Sequence, residues 1–279
     1  MRTMLVLVAG AHGRLGSRVV ALLLSRGHAV RALVRTEAQA EALKDLGAQT
    51  AVADLRGDVE WIANGCEGTV FAAGARHRGD LGAVDAGGAA KLAEAAYHYE
   101  HSRFVLCSVI GADRPGSRDG GVGEFLAAKH HAERRLAGLD MPWSILRFGR
   151  LTETPGTGRI STRIPDGQPL TLSRDDAALA VVGALERSHL AGLAVPVIDG
   201  DREVRHALDS VEPRELPPPP QSGTTTGSPP GGAQADNPRD DPNMIEPDAS
   251  PLDADVEWWG DGPLPREPVG NEDPAPGIP

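Results

Sequence analysis

Cysteine is nearly missing: Cys66 and Cys107 are the only two in 279 residues. Two thiols cannot build the disulfide framework of a small secreted fold, and no Cys/His group has zinc-ligand spacing. A reducing, cytoplasmic setting is therefore expected. Long apolar runs are also lacking. The longest early one, Met4 to Ala9, falls well short of the ~20 residues of a membrane span and runs straight into a glycine turn instead of a signal-peptide core. Basic excess is absent as well, with 28 Lys+Arg against 39 Asp+Glu and a net charge of −11. Neither a nucleic acid nor an anionic membrane is an expected partner, because both require a basic footprint. Aromatic residues are scarce at 4%, and the only two tyrosines are Tyr97 and Tyr99.

Charge and proline are unevenly spread. Residues 210–279 hold 17 of the 23 prolines, 14 acidic residues and 3 basic ones, so this segment carries the whole net charge. Residues 1–209 hold 25 of each sign and are neutral. The chain thus divides into a domain, 1–209, and a Pro-rich acidic tail, 210–279. Such a tail cannot bury enough apolar surface to offset its chain entropy and is expected to be disordered. One apolar island, Val256-Glu257-Trp258-Trp259, interrupts it. The adjacent Trp258 and Trp259 could dock a protein partner or pack back onto the domain.

The first 209 residues alternate short apolar runs with helical patterns, the signature of a parallel sheet covered on both faces. Strands are expected at Leu5–Ala9, Ala29–Val34, Thr50–Ala53, Thr69–Ala73, Arg103–Val109, Trp143–Phe148 and Ala194–Ile198. Helices fall between them at 14–26, 36–46, 59–62, 84–99, 122–137 and 174–187. The first has Leu15, Val19 and Leu23 on one stripe, and the last opens with the capping sequence Ser173-Arg174-Asp175-Asp176. This pattern predicts a doubly wound α/β fold.

Between the first strand and the first helix lies Gly10-Ala11-His12-Gly13-Arg14-Leu15-Gly16. A glycine turn opening a helix lets backbone N–H groups approach a pyrophosphate. Gly13 and Gly16 keep the spacing of the last two glycines of the dinucleotide fingerprint, and Gly10 stands one residue further off than usual. At the end of the second strand a carboxylate would hold a ribose 2′-hydroxyl and an arginine a 2′-phosphate. Arg35 stands there, with Arg14 as a second cation in the turn, which points to NADP(H). In the competing NAD reading both arginines are solvated and Glu37 takes the ribose.

These segments resemble the atypical short-chain dehydrogenase/reductases, the NAD(P)H-binding group related to NmrA-like and extended reductases. The resemblance rests on GAHGRLG at 10–16, VRALVR at 30–35, Asp54-Leu55, Ala72-Ala73-Gly74, FVLCSVIGAD at 104–113 and AAKHHAERRL at 127–136. It spans residues 4–208 and implies an NAD(P)-binding Rossmann fold. It also implies that Asp54 and Leu55 border the adenine and that Ala72, Ala73 and Gly74 line the adenosine side. Active members of the superfamily carry Tyr-x-x-x-Lys and a serine after the fifth strand, the lysine also binding the nicotinamide ribose. Here Lys129 is present, but four residues before it stands Phe125, which cannot exchange a proton. Val109 aligns with the serine, and Ser108 could replace it only if turned inward. Tyr97 and Tyr99 lie at the wrong end of their helix.

Other proton donors near the expected site are His12, His77, His130 and His131, with Glu124 assigned to a polar helix face. The substrate loop, 149–170, has no recognisable code. Two function classes follow. The first is an NADP(H)-binding protein with a degenerate site and a redox-sensing or regulatory role. The second is an NADP-dependent oxidoreductase, or an epimerase-like enzyme, with a proton donor other than tyrosine and an unidentified small-molecule substrate. Deleting residues 210–279 should leave the melting temperature within about 5 °C of the full chain. A larger fall in a thermal scan would mean that the tail packs onto the domain.

Overall fold

The computed structural model of the chain describes residues 3–75, 78–117, 120–165 and 169–212. Trp258, Trp259 and His77 lie outside these residues. The elements in order are β1 (Leu5–Ala9), α1 (Arg14–Ser25), β2 (Ala29–Val34), α2 (Glu37–Lys44), β3 (Gln49–Val52), α3 (Glu60–Ala63) and β4 (Gly68–Phe71). They continue with α4 (Ala89–His98), β5 (Arg103–Val109), α5 (Gly120–Ala137), β6 (Trp143–Phe148), β7 (Arg150–Thr152), β8 (Arg159–Ser161) and β9 (Thr171–Ser173). The last are α6 (Arg174–Leu185), β10 (Leu193–Asp199), β11 (Arg202–Glu203) and α7 (Val204–Asp209).

The main sheet has the order β11-β8-β10-β6-β5-β4-β1-β2-β3. From β10 to β3 every pairing is parallel, and β8 and β11 add an antiparallel edge. Alternation along β1 shows why both faces are covered. Val6 and Val8 enter a core with Leu15, Val19 and Leu23 of α1 and Val181 and Leu185 of α6. Leu7 and Ala9 enter the opposite core with Ile62 of α3, Leu92 and Ala96 of α4, and Leu136 of α5. Period-2 side chains on a sheet wrapped by helices give two cores from one strand. This is the expected doubly wound α/β architecture.

Thr36 caps α2, accepting from the Gln39 N–H, as the composition there suggests. Ser173 caps α6 likewise, accepting from the Asp176 N–H at 3.0 Å. The carboxylate of Asp176 takes a different role from that of a capping box. It accepts from the N–H groups of Thr157 (2.8 Å) and Gly158 (2.7 Å), so this buried residue ties the segment before β8 to the helix.

Two local expectations change. The single helix expected over 84–99 begins as a π-helical stretch, Leu81–Gly88, before α4. Wider i→i+5 turns of this kind are rare and occur mostly at functional sites. The segment expected as a featureless substrate loop, 149–170, contains β7 and β8, and β7 pairs with β9. At the end of the domain, Val211 packs against the core, two residues past the boundary at 209. Both cysteines are free and buried, and burial pushes the Cys107 thiol up to about 12.

Candidate functional site

The C-terminal ends of β1, β2, β3 and β4 meet where β1 stands between β2 and β4. Chain connections leave β1 and β4 toward opposite faces there, which opens a crevice above the strand ends. The cleft is lined by Gly10, His12 and Gly13 from the turn after β1, and by Leu33, Val34, Arg35 and Gln39 around the end of β2. Ala53, Asp54, Leu55 and Arg56 follow β3, and Ala72, Ala73, Gly74 and Ala75 follow β4. Asp80 and Val84 close one side.

Two of the turn glycines are explained by packing. Gly10 has φ +77°, and a Cβ there would lie 2.7 Å from the Ala73 backbone. A Cβ on Gly16 would lie 2.0 Å from the Gly10 carbonyl oxygen. These glycines let α1 and the β4 loop close on the turn, and Gly10, His12 and Gly13 are its residues that reach the cleft. Gly13 is the N-cap of α1, with no side-chain cap and no acidic residue in the first turn. The first N–H groups of a helix lack intrahelical acceptors, and the helix dipole is positive at that end. A pyrophosphate fits this end of the cleft. Leu15 and Gly16 are buried within α1 and line no part of it. Arg14, expected beside Arg35, places its guanidinium 3.6 Å from Glu153, a carboxylate it shares with Arg18 and Arg174.

After β3, Asp54 and Arg56 form a close pair, with Arg56 Nη2 at 2.7 Å from Asp54 Oδ2. Hydrogen bonding from Arg56 holds the Asp54 carboxyl below the usual carboxylate range. The backbone N–H of Arg35 donates to Gln39 Oε1 (2.9 Å), and Glu37 is not among the lining residues. Residue Arg56 was missed by the sequence reading. Its position directly after Asp54-Leu55 is the one sequence feature that marks it, and a solvated surface arginine would look the same.

The positions expected to do chemistry are arranged differently. Lys129 is 1% exposed, with its ammonium 2.7 Å from Oδ1 of the equally buried Asp85. Asp85 Oδ2 accepts from the Ala75 N–H at 2.7 Å, so one carboxylate in the π-helical stretch joins the cleft wall to α5. Phe125 stands one turn before Lys129, with the ammonium 5.6 Å from its ring centre. Val109 packs with Ala112, Leu126 and Phe125 in a small apolar cluster.

Ser108 does not turn into the cleft. It is fully buried, and its hydroxyl donates to Glu133 Oε1 at 2.6 Å. Arg147 completes that network with two donors to the same carboxylate, at 2.6 and 3.0 Å. Among the histidines, His12 lines the cleft and is exposed, while His130 contacts the Ala112 carbonyl oxygen (2.8 Å) and His131 is exposed. Tyr97 and Tyr99 lie at the C-terminal end of α4, which precedes β5 and therefore sits at the bottom of the sheet.

An open parallel sheet with a glycine turn at its switch point defines the class of dinucleotide-binding domains. A family described as NAD(P)H-binding matches residues 10–188, and the chain belongs to it. An "Uncharacterized sugar epimerase YhfK" of Bacillus subtilis (strain 168) is 34% identical over 214 residues, covering 74% of this chain and 99% of that protein. A solved structure from Bacillus halodurans, described as a candidate NAD-dependent epimerase/dehydratase, is 26% identical with a TM-score of 0.71. It covers 75% of this chain and 100% of its own. The oxidoreductase ylbE from Lactococcus lactis shares the fold at 24% identity and TM-score 0.65, over 75% and 96% of the two chains. The protein is an NAD(P)H-binding member of the atypical short-chain dehydrogenase/reductase group. Among the described residues no helix is long and apolar enough to cross a membrane.

The Lys129–Asp85 pair is fully desolvated, so removing one partner strands a buried charge. Lys129→Ala or Asp85→Ala should each cost about 3–5 kcal/mol of stability in urea unfolding. The apolar double substitution Asp85→Leu with Lys129→Met should recover part of that loss. A single-variant cost below about 1 kcal/mol would show that water reaches the pair.

Proposed function

We propose that the protein binds NADP(H) in this cleft and has little carbonyl-reducing activity, acting as a redox-linked binding or regulatory protein. The observation that carries this reading is a switch-point cleft at an uncapped helix N-terminus, together with Phe125 and Val109 in place of hydroxyl donors. Gly13 and the first turn of α1 would take the pyrophosphate, Ala72 to Gly74 the adenosine side, and Arg35 the 2′-phosphate. Bound there, the dinucleotide supplies a nicotinamide ring able to give or accept a hydride.

Proton transfer is the part that this chain provides poorly. Phe125 and Val109 stand where the superfamily has its phenol and hydroxyl, and Ser108 is engaged by Glu133. With Asp85 at 2.7 Å, the Lys129 ammonium lies in a neutralising pair, so it is poorly placed to lower the pKa of a neighbouring acid. Holding α5 against the cleft wall is a role that this geometry supports better.

A second reading, an epimerase-like enzyme or reductase with another donor, is favoured by one observation. His12 is an exposed titratable group in the cleft. An imidazole there could pass a proton to a substrate carbonyl.

Arg35 at the mouth of the cleft generates a first expectation. Calorimetric titration should show NADPH binding roughly 10- to 100-fold more tightly than NADH, from a charge-assisted contact of ~1.5–3 kcal/mol. Arg35→Ala should erase most of that preference, and equal affinities in the unaltered protein would refute the NADP assignment.

Activity generates a second expectation. The unaltered protein should oxidise NADPH slowly, if at all, over a panel of small aldehydes and ketones, since a missing general acid costs about 10²–10⁴-fold. Phe125→Tyr with Val109→Ser should raise that rate only slightly, because Asp85 keeps the Lys129 charge neutralised beside the new phenol. Robust turnover by the unaltered protein, abolished by His12→Ala, would establish the second reading instead.

A further inference from the structure

The adenosine end of the cleft holds two arginines in different electrostatic states. Arg35 follows β2 and Arg56 follows β3, and these strands run side by side to the same edge, Val34 opposite Val52. Both arginines line the cleft. The guanidinium of Arg35 has no ion-pair partner among the described residues, yet its charge reaches the Asp54 carboxyl and helps to hold it ionised.

Arg56 is gripped along one edge only. Its Nε lies 3.1 Å from both carboxylate oxygens of Asp54, and its Nη2 donates to Oδ2 at 2.7 Å. The Arg56 backbone N–H donates to Oδ1 at 2.9 Å, which fixes Asp54 in turn. The other edge is held loosely, with Nη1 at 3.7 Å from Asp80. A guanidinium has five donors in a rigid fork, so one edge can stay on a carboxylate while the other binds a second anion. Rotamer freedom is already spent in the Asp54 contact, so little more is lost when that anion binds.

We propose that Arg56 is a second ligand for the 2′-phosphate, clamping it together with Arg35, and that Asp54 is the positioning residue that aims the free edge of Arg56. This inference rests on the NADP(H) reading and deepens it. A phosphate monoester brings about two negative charges and three acceptor oxygens, which two guanidinium groups match better than one. The paired Asp54 carboxylate is neutralised along the edge that it shares with Arg56, so it does not oppose the phosphate. An unphosphorylated ribose offers Arg56 nothing comparable, and the second cation therefore acts on the choice between the two dinucleotides.

The test uses adenosine 2′,5′-bisphosphate and AMP as probes, titrated calorimetrically into the full chain. Arg56 is exposed, with 57% of its side chain in solvent, so its replacement leaves the core untouched. Arg56→Ala should lower the affinity for the bisphosphate about tenfold and leave that for AMP unchanged. A decisive comparison separates direct contact from mere neutralisation of Asp54. If Arg56 binds the phosphate, Asp54→Asn with Arg56→Ala stays about threefold weaker for the bisphosphate than Asp54→Asn alone, a smaller factor than the roughly tenfold of the unaltered background because Arg56 has lost its anchor. If Arg56 only masks a carboxylate, the double variant matches the single one, and the proposal falls. Loss of preference in Arg35→Ala alongside an unaffected Arg56→Ala would overturn the proposal and leave the NADP(H) reading intact. Equal binding of the two probes by the unaltered chain would overturn both.

Discussion

The close approach of three backbone segments at the switch point is the constraint on which the site depends. The turn after β1 presses against the loop after β4 so tightly that a Cβ on Gly10 would lie 2.7 Å from Ala73, and α1 closes on the turn through Gly16. Any side chain at either position would separate the helix from the sheet. That separation would carry away the N-terminus of α1, whose first N–H groups have no intrahelical acceptor to keep them from an oxyanion. The same compaction leaves Val6, Val8, Leu15 and Val19 in one uninterrupted core.

Charge has been distributed around this frame in two ways. In the interior, Lys129 is neutralised by Asp85, and Glu133 gathers Ser108 and Arg147, so few donors there are left for a ligand. Such buried pairs contribute little net stability, because desolvation offsets most of the attraction, but they fix the relative placement of the elements that carry them. Asp85 shows this directly, since it holds the Ala75 backbone with one oxygen and Lys129 with the other. At the rim the opposite holds. Arg35 and Arg56 line the cleft, Arg35 outside any ion pair among the described residues and Arg56 held by Asp54 along one edge.

Much of the site was legible in the sequence for local reasons. The cleft contains Gly10, His12, Gly13, Arg35, Asp54, Leu55, Ala72, Ala73 and Gly74 because each lies at the end of a strand that period and composition identify. Arg56 was equally close to such an end but carried no pattern to separate it from a solvated surface arginine. The β7 and β8 strands went unread because three residues of pairing leave no periodicity to detect. The π-helical stretch escaped because its glycines and alanines suit an ordinary helix just as well.

What the sequence determined by itself was the succession of strands and helices, the glycine turn and the absence of a phenol before Lys129. Each of these depends on residues within a few positions of one another. Only the tertiary structure decided what Lys129, Ser108 and Arg14 face. Asp85, Glu133 and Glu153 lie 44, 25 and 139 residues away from them along the chain. A side chain's electrostatic partner depends on which strands lie side by side and on how deeply the pair is desolvated, and neither is a property of local sequence.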